Sequence, residues 1–409
     1  MINFLRNVFK EKKWAASLLL IRVASGLVVQ KLVALQFGPY GTTLLSHLQN
    51  FTGLFLQPSQ DIVGQGILTF QTDKKKEGAQ VIAVALIYLI LLFLVVFSLT
   101  WLYQKAELEK LAFIQTHLSE LVVAIIFLML QIICTNLLLK QAHLKPLVLI
   151  AMIQWTVIIT SLALFNQNIE QQLIAYLISN AASTLLYLFT CLYYKIIPIQ
   201  FSNIPKRVNK HFLQFLLIGF TIWLCSKLTA YGIRSYAISA YSVEETGWWQ
   251  AVARLSDAYR ALFISYLMIS FVPKLSQSKS LEKSKAIIRK DLSTYFLLAT
   301  GFIVFAFLSQ DYLISFFYNA SYAPATDLLS IQLVGDIFAL ASFPFALILI
   351  AKVETKRYII AEIASTLVYL LSIYLLPELG ITKILYAHFV RYMFYLILVF
   401  MFAFKHLKK

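Results

Sequence analysis

The sequence predicts an all-α polytopic membrane protein, with twelve transmembrane helices in two six-helix lobes around a central cationic cavity. Three observations carry this. Of 409 residues, 60% are hydrophobic and only 13% are charged, about half the charged share of a soluble domain. Apolar runs long enough to cross a bilayer recur along the whole chain. Lysine and arginine are concentrated in every second gap between those runs, the pattern that orients membrane proteins.

Span 1 covers 14–36 and ends at "FGPYG", without the small-residue cleavage site of a signal peptide, so it reads as a retained helix. Span 2, 42–68, leads to a polar edge. Spans 3 to 6 (79–103, 120–139, 147–166 and 172–194) complete a first half. The stretch "KIIPIQFSNIPKRVNK" (195–210), with two prolines and four basic residues, reads as a linker. It divides the chain into lobes 1–205 and 206–409. Spans 7 to 12 follow at 211–235, 247–272, 291–310, 327–351, 358–376 and 383–404.

Counting Lys and Arg in the gaps tests this layout. The segments 1–13, 69–78, 140–146, 195–210, 273–290, 352–357 and 405–409 hold 25, and the opposite side holds Lys105, Lys110 and Lys383. Such asymmetry places both termini in the cytoplasm. It also accounts for the net charge of +16 without nucleic acid, because the excess lies in loops beside anionic lipid.

The halves have repeat-like organisation. The stretches Gly41 to Gln71 and Gly247 to Gln277 are both 31 residues long and begin at a glycine after a short outer loop. Six spans per half gives both halves the same orientation, the parallel kind of transporter repeat. Non-cytoplasmic loops are short, about 16 residues at most, which leaves no room for a catalytic domain. The sequence has no Walker A loop, HExxH or G-x-S-x-G elbow. Cys134, Cys191 and Cys225 sit singly inside spans, with neither disulfide nor metal-ligand spacing. No catalytic residue, metal site or cofactor is therefore assigned.

Seven cations remain inside spans: Arg22, Lys31, Lys227, Arg234, Arg254, Arg260 and Arg391. The embedded acids are Asp61, Asp257 and Asp336, with Glu362 one turn inside its span. Each cation facing lipid would cost about 3 kcal/mol, about 20 for the set, against a typical stability of about 5–15 kcal/mol. They must face a wet or protein-lined interior. With cations in excess, that interior suits an anionic ligand. Guanidinium forks bind anionic oxygens bidentately. Arg254, Asp257 and Arg260 are spaced three apart on one helix face, an arrangement in which Asp257 pairs with both arginines. Arg234, near a span end, is expected to snorkel. His47 and His388 are expected to bond between helices.

Four blocks carry a family resemblance: "VVQKLVALQFGPYG", "WWQAVARLSDAYRALF", "LLSIQLVGDIFAL" and "LIAKVETKRYIIAEI". Together, in order across both halves, they resemble the Wzx-type flippases of the multidrug/oligosaccharidyl-lipid/polysaccharide (MOP) exporter superfamily. The resemblance implies a MATE-like fold whose lobes rock around a central cavity. It implies movement of an undecaprenyl-diphosphate-linked oligosaccharide between leaflets of the bacterial inner membrane. It also implies membrane lipids, and a glycan polymerase or chain-length regulator, as partners. By motif it carries over Lys31, Gln250, Asp257, Gln332 and Asp336; the block around Asp61 departs from the pattern. The candidate substrate-binding set is therefore Lys31, Lys227, Arg254, Arg260, Arg391, Gln250 and Gln332, with Asp257, Asp336 and Asp61 as ion-pair or coupling residues. A multidrug or lipid II exporter is the alternative within the superfamily. A membrane-embedded glycan polymerase or ligase would instead require a sizeable basic periplasmic loop.

Overall fold

A computed structural model describes residues 2–70, 75–105, 112–141, 143–165, 167–196, 206–277, 281–352 and 354–408. Parts of the expected loops 69–78, 195–210 and 273–290 (residues 71–74, 197–205 and 278–280) lie outside them. Among the described residues there are helices and turns but no β-strand. The main helices are α1 (Ile2–Pro58), α2 (Lys75–Lys105), α3 (Leu118–Lys140), α4 (Leu144–Leu164), α5 (Ile169–Ala182) and α6 (Thr184–Tyr193). They continue with α7 (Lys206–Ile222), α8 (Thr229–Ala240), α9 (Val243–Ser270), α10 (Leu281–Leu308), α11 (Ala325–Ala351), α12 (Thr355–Leu375) and α13 (Thr382–Lys408).

Ten helical stretches among the described residues are long and apolar enough to cross a membrane. The first, Ser17–Leu68, is 52 residues, twice one crossing. It bends at Gly38, whose φ of 60° and ψ of −154° interrupt the helix. Glycine adopts that conformation without penalty, and Pro39 follows it. Helix α9 has the length, at 28 residues, but Arg254, Asp257 and Arg260 keep its hydropathy too low. Counting both arms of the bent helix and adding α9 gives the twelve crossings.

The chain forms two compact units, one of residues 1–36 and 44–235, the other of 37–43 and 236–409. The sequence boundary at 205/206 precedes this division by one helix, because α7 packs within the first unit. There Gly219 permits close approach, since an added Cβ would lie 2.5 Å from Ile62. Trp223 Nε1 also donates to the Leu54 carbonyl at 2.9 Å. Two π-helical turns interrupt these helices, Ser59–Gly64 after α1 and Trp223–Leu228 after α7. The apolar core joins Leu45, Phe55 and Ile67 to Met129, Leu138, Leu173 and Phe212.

In the second unit, α11 packs against α9, α10, α12 and α13. Its buried residues are mostly Leu, Ile and Ala, with Gln332, Asp336 and Ser342 as buried polar positions. A capping box fixes the start of α9: Ser242 Oγ accepts from Glu245 N–H while the Glu245 carboxylate accepts from Ser242 N–H. Segment 37–43 is tied in by Thr43 Oγ1 donating to Val243 O at 2.9 Å and by a 3.0 Å Thr42–Tyr322 hydroxyl pair. Outward-facing positions such as Leu297, Leu308 and Leu367 are exposed, as lipid contact requires.

Candidate functional site

Asp336 lies eleven residues into α11, about 17 Å along the helix, near mid-membrane depth. Its side chain has 0% exposure. An isolated carboxylate there would be prohibitively desolvated, and the surrounding donors explain how it is tolerated. Ser256 Oγ donates to Oδ2 at 2.6 Å, and the Tyr259 hydroxyl donates to the same oxygen. His388 Nε2 lies 3.0 Å from Oδ1, Gln332 Nε2 3.2 Å, and Arg260 Nη1 3.6 Å. Gly335 lets α13 close in, since a Cβ at that position would sit 2.6 Å from His388 Cδ2.

Arg260 is shared. Its Nη2 donates to Asp257 Oδ1 at 2.6 Å, its Nη1 donates to the Tyr392 hydroxyl at 3.2 Å, and it lies 5.6 Å from the Tyr392 ring centroid. Arg391 sits 5.4 Å from the ring centroids of both Tyr369 and Tyr392. Its Nη2 is 3.5 Å from Thr366 Oγ1. Alongside, Tyr395 donates to Glu362 at 2.6 Å. The structure thus joins Arg260, Asp257, Gln332 and Asp336 directly, and Arg391 through Tyr392. Gln250 is buried ten residues earlier on α9.

Arg254 corrects the expected ladder. Asp257 pairs with Arg260, and no ion pair joins it to Arg254. Helical side chains lean toward the N-terminus, so Arg260 reaches back onto Asp257 while Arg254 leans away from it. Arg254 lies near Tyr318 instead. Among the described residues, its Nε and Nη2 are buried without a hydrogen-bond partner.

In the first unit, Asp61 and Lys227 each sit on a π-helical turn and interact electrostatically. Gln57 Nε2 donates to Asp61 Oδ2 at 2.8 Å. Such turns recur at functional positions. Lys31 is half-buried on α1. Arg22 is exposed beside the Tyr187 hydroxyl, which donates to Gln154 at 3.0 Å. Arg234 is 6% exposed, so it is enclosed by protein and does not snorkel. Among the described residues no His/Cys/Asp/Glu group has metal-holding geometry.

Sequence reading passed over Ser256, Tyr259, Thr366, Tyr369 and Tyr392. The signal was present as stripes: 256, 259 and 260 on α9, 332 and 336 on α11, and 388, 391, 392 and 395 on α13. Each follows the three-to-four-residue spacing of one helix face. An isolated charge is improbable in lipid, whereas an uncharged hydroxyl beside it is not.

No protein-family model matches the chain. It is 24% identical over 414 residues to the lipid III flippases of Escherichia coli (strain K12) and Shigella flexneri, covering 95% of this chain and 96% of each relative. Among solved structures, it superimposes on the inward-facing conformation of a multidrug resistance MATE family transporter of the MOP superfamily. The TM-score is 0.76 at 14% identity, covering 96% of this chain and 94% of that one. The inward closed lipid II flippase MurJ follows with a TM-score of 0.71 at 15% identity, covering 96% of this chain and 87% of that one. The fold is that of the MOP exporters. The Wzx-type resemblance of the four sequence blocks extends to a likeness with lipid III flippases along nearly the whole chain.

Proposed function

We propose that this protein is a flippase that moves an undecaprenyl-diphosphate-linked oligosaccharide, lipid III or an O-antigen-type unit, from the cytoplasmic to the periplasmic leaflet by alternating access. The observation that carries this reading is the likeness to lipid III flippases over 95% of the chain. The chain is a transporter of the inner membrane with both termini in the cytoplasm. The two compact units, which differ from the lobes 1–205 and 206–409 in keeping α7 with the first, act as the moving halves, and the protein works beside a glycan polymerase and chain-length regulator.

Lys31, Lys227, Arg254, Arg260, Arg391, Gln250 and Gln332 remain the candidate cavity residues, with Asp257, Asp336 and Asp61 for coupling. The geometry ranks them. Arg260 already meets two carboxylates and a phenol, so its donors are engaged. Arg254 has two buried guanidinium nitrogens with no partner. A diphosphate oxygen would satisfy these donors by bidentate contact. Arg254 is therefore the leading anion contact in the second unit, and the Arg260–Asp336 network holds the helices that present it.

MATE and MurJ likenesses favour a drug or lipid II cargo as the second reading. Seven intramembrane cations against four acids disfavour a cationic drug. Purified protein in liposomes, offered lipid III, lipid II and a cationic dye, separates the readings. Lipid III movement with the others left behind is expected. Movement of lipid II or dye alone would overturn the proposal.

A further inference from the structure

Arg22 stands on the protein-facing side of α1. At about 100° per residue, the buried Leu18, Ser25 and Val29 lie within about 60° of it round the helix. The exposed Leu20 and Val28, which mark the lipid side, are about 120° or more away. Arg22 is exposed all the same. Space beside it explains how. Gly26 is one turn further on and about 40° round from Arg22. A Cβ added there would meet nothing within 4 Å. The packed face of α1 therefore opens into a recess at Arg22 and Gly26.

One wall of the recess is polar and lies at mid-membrane depth. Arg22 is beside the Tyr187 hydroxyl of α6. Tyr187 is 1% exposed and donates to Gln154 Oε1 at 3.0 Å. Gln154 sits at the midpoint of the 21-residue α4, and its Nε2 donates to Asn180 Oδ1 at 2.6 Å. Gln131 Nε2 also donates to Gln154 Oε1, at 3.4 Å. The bond to Asn180 turns Gln154 Oε1 toward the phenol, which commits its proton there. The phenol oxygen is left to accept from Arg22. The guanidinium is thus held near the level of Gln154 and is not drawn to the cytoplasmic interface. It keeps its charge in any protein setting, and it has more N–H donors than one phenol oxygen can accept. Among the described residues no acid pairs with it. A permanent charge so placed requires water or an anion in the recess.

We infer that Arg22 is a contact for a phosphate oxyanion in the first unit, and that Tyr187, Gln154 and Asn180 are positioning residues that aim its guanidinium into the recess. Phosphate is the anion that lipids bring to a bilayer, and a guanidinium fork takes two of its oxygens at once. The wall of amides and a phenol adds no carboxylate to repel it. The inference rests on the flippase reading, which makes the phosphate that of the cargo's diphosphate.

The test is the affinity of the full-length protein in detergent for undecaprenyl diphosphate, with undecaprenol and phosphatidylglycerol as comparison probes. Arg22→Ala should weaken undecaprenyl diphosphate about tenfold and leave undecaprenol as in the parent. Gly26→Leu fills the recess with a better helix former, so it should weaken the diphosphate similarly at undiminished Tm. Tyr187→Phe should weaken it several-fold in the parent and not at all once Arg22 is alanine. A tyrosine that serves only the fold would cost the same in both backgrounds. Parent-like diphosphate affinity in Arg22→Ala and Gly26→Leu, an equal loss of undecaprenol, or a Tyr187→Phe effect that persists without Arg22 would overturn the inference. Tighter Arg22-dependent binding of phosphatidylglycerol than of undecaprenyl diphosphate would overturn the assignment to cargo. A parent that binds undecaprenyl diphosphate no better than undecaprenol would overturn the flippase reading itself, and the inference with it.

Discussion

In residues 236–409, Arg254, Arg260 and Arg391 inside the spans are matched in number by Asp257, Asp336 and Glu362. In residues 1–235, Arg22, Lys31, Lys227 and Arg234 accompany a single acid, Asp61. The matched set is interlocked: Asp336 alone gathers side chains from α9, α11 and α13. The unmatched set is distributed, with Arg22 exposed and Lys31 and Lys227 half-buried. Charge inside a membrane can thus fix helices to one another or hold a potential for a ligand. The second use requires that opposite charges be scarce. Arg254 belongs by position to the first group and by its unpaired donors to the second.

The largest effect should come from opening the interlocked set. Asp336→Ala leaves Arg260, Ser256, Tyr259 and His388 buried with donors unmet. Loss of a buried ion-pair partner costs about 3–5 kcal/mol. Thermal unfolding in detergent should show it as a much lower Tm and poor recovery of folded protein. A variant that melts like the parent would mean the network does not hold the second unit together.

A smaller effect should follow at the edge of that network. Arg391→Lys keeps the charge but replaces a planar guanidinium lying between two tyrosine rings. Cation–π contacts are worth about 0.5–1 kcal/mol at accessible sites, so a modest fall in Tm is expected, with a smaller loss of cargo affinity than Arg254→Ala produces. A large fall in affinity at unchanged Tm would put Arg391 level with Arg254 as a cargo contact.

The architecture was largely legible in the sequence because bilayer thickness imposes its length on every apolar run. The alternation of 25 Lys and Arg against 3 between successive gaps then predicted the order of the crossings. The bend at Gly38 was written in "FGPYG". The association of α7 with residues 44–70 was not, because it depends on a glycine contact at Gly219 and a tryptophan–carbonyl bond, neither of which leaves a periodic trace. The charged residues of the network were also legible, since each is improbable in lipid. Which arginine Asp257 would take was not, because a three-residue spacing on both sides is symmetric in sequence. The lean of helical side chains breaks that symmetry only in three dimensions.

The smallest effect belongs to a pair at the start of α13, where the exposed Glu378 meets the buried Lys383. Glu378 accepts from Lys383 Nζ at 3.1 Å and Tyr241 at 3.0 Å, and chiefly the lysine contact holds its carboxyl below the usual range. A depressed carboxyl contributes stability above its unfolded pKa and loses it as pH falls through the folded value. Solvent screening keeps this small. Glu378→Gln should therefore lower Tm slightly at neutral pH and erase the difference in acid. A difference that grows on acidification would reverse the assigned sign.

The division between holding and binding charges is tested most directly by cargo affinity in two α9 variants, measured on folded protein with an undecaprenyl-diphosphate-linked oligosaccharide. Charge-assisted hydrogen bonds contribute about 1.5–3 kcal/mol, which corresponds to roughly tenfold or more in Kd. Arg254→Ala should weaken binding by at least about tenfold, while Arg260→Lys, which keeps a cation beside Asp257 and Asp336, should stay within roughly twofold of the parent. The opposite order, with Arg260→Lys losing the cargo and Arg254→Ala retaining it, would contradict the assignment of Arg254 to the ligand and Arg260 to the fold.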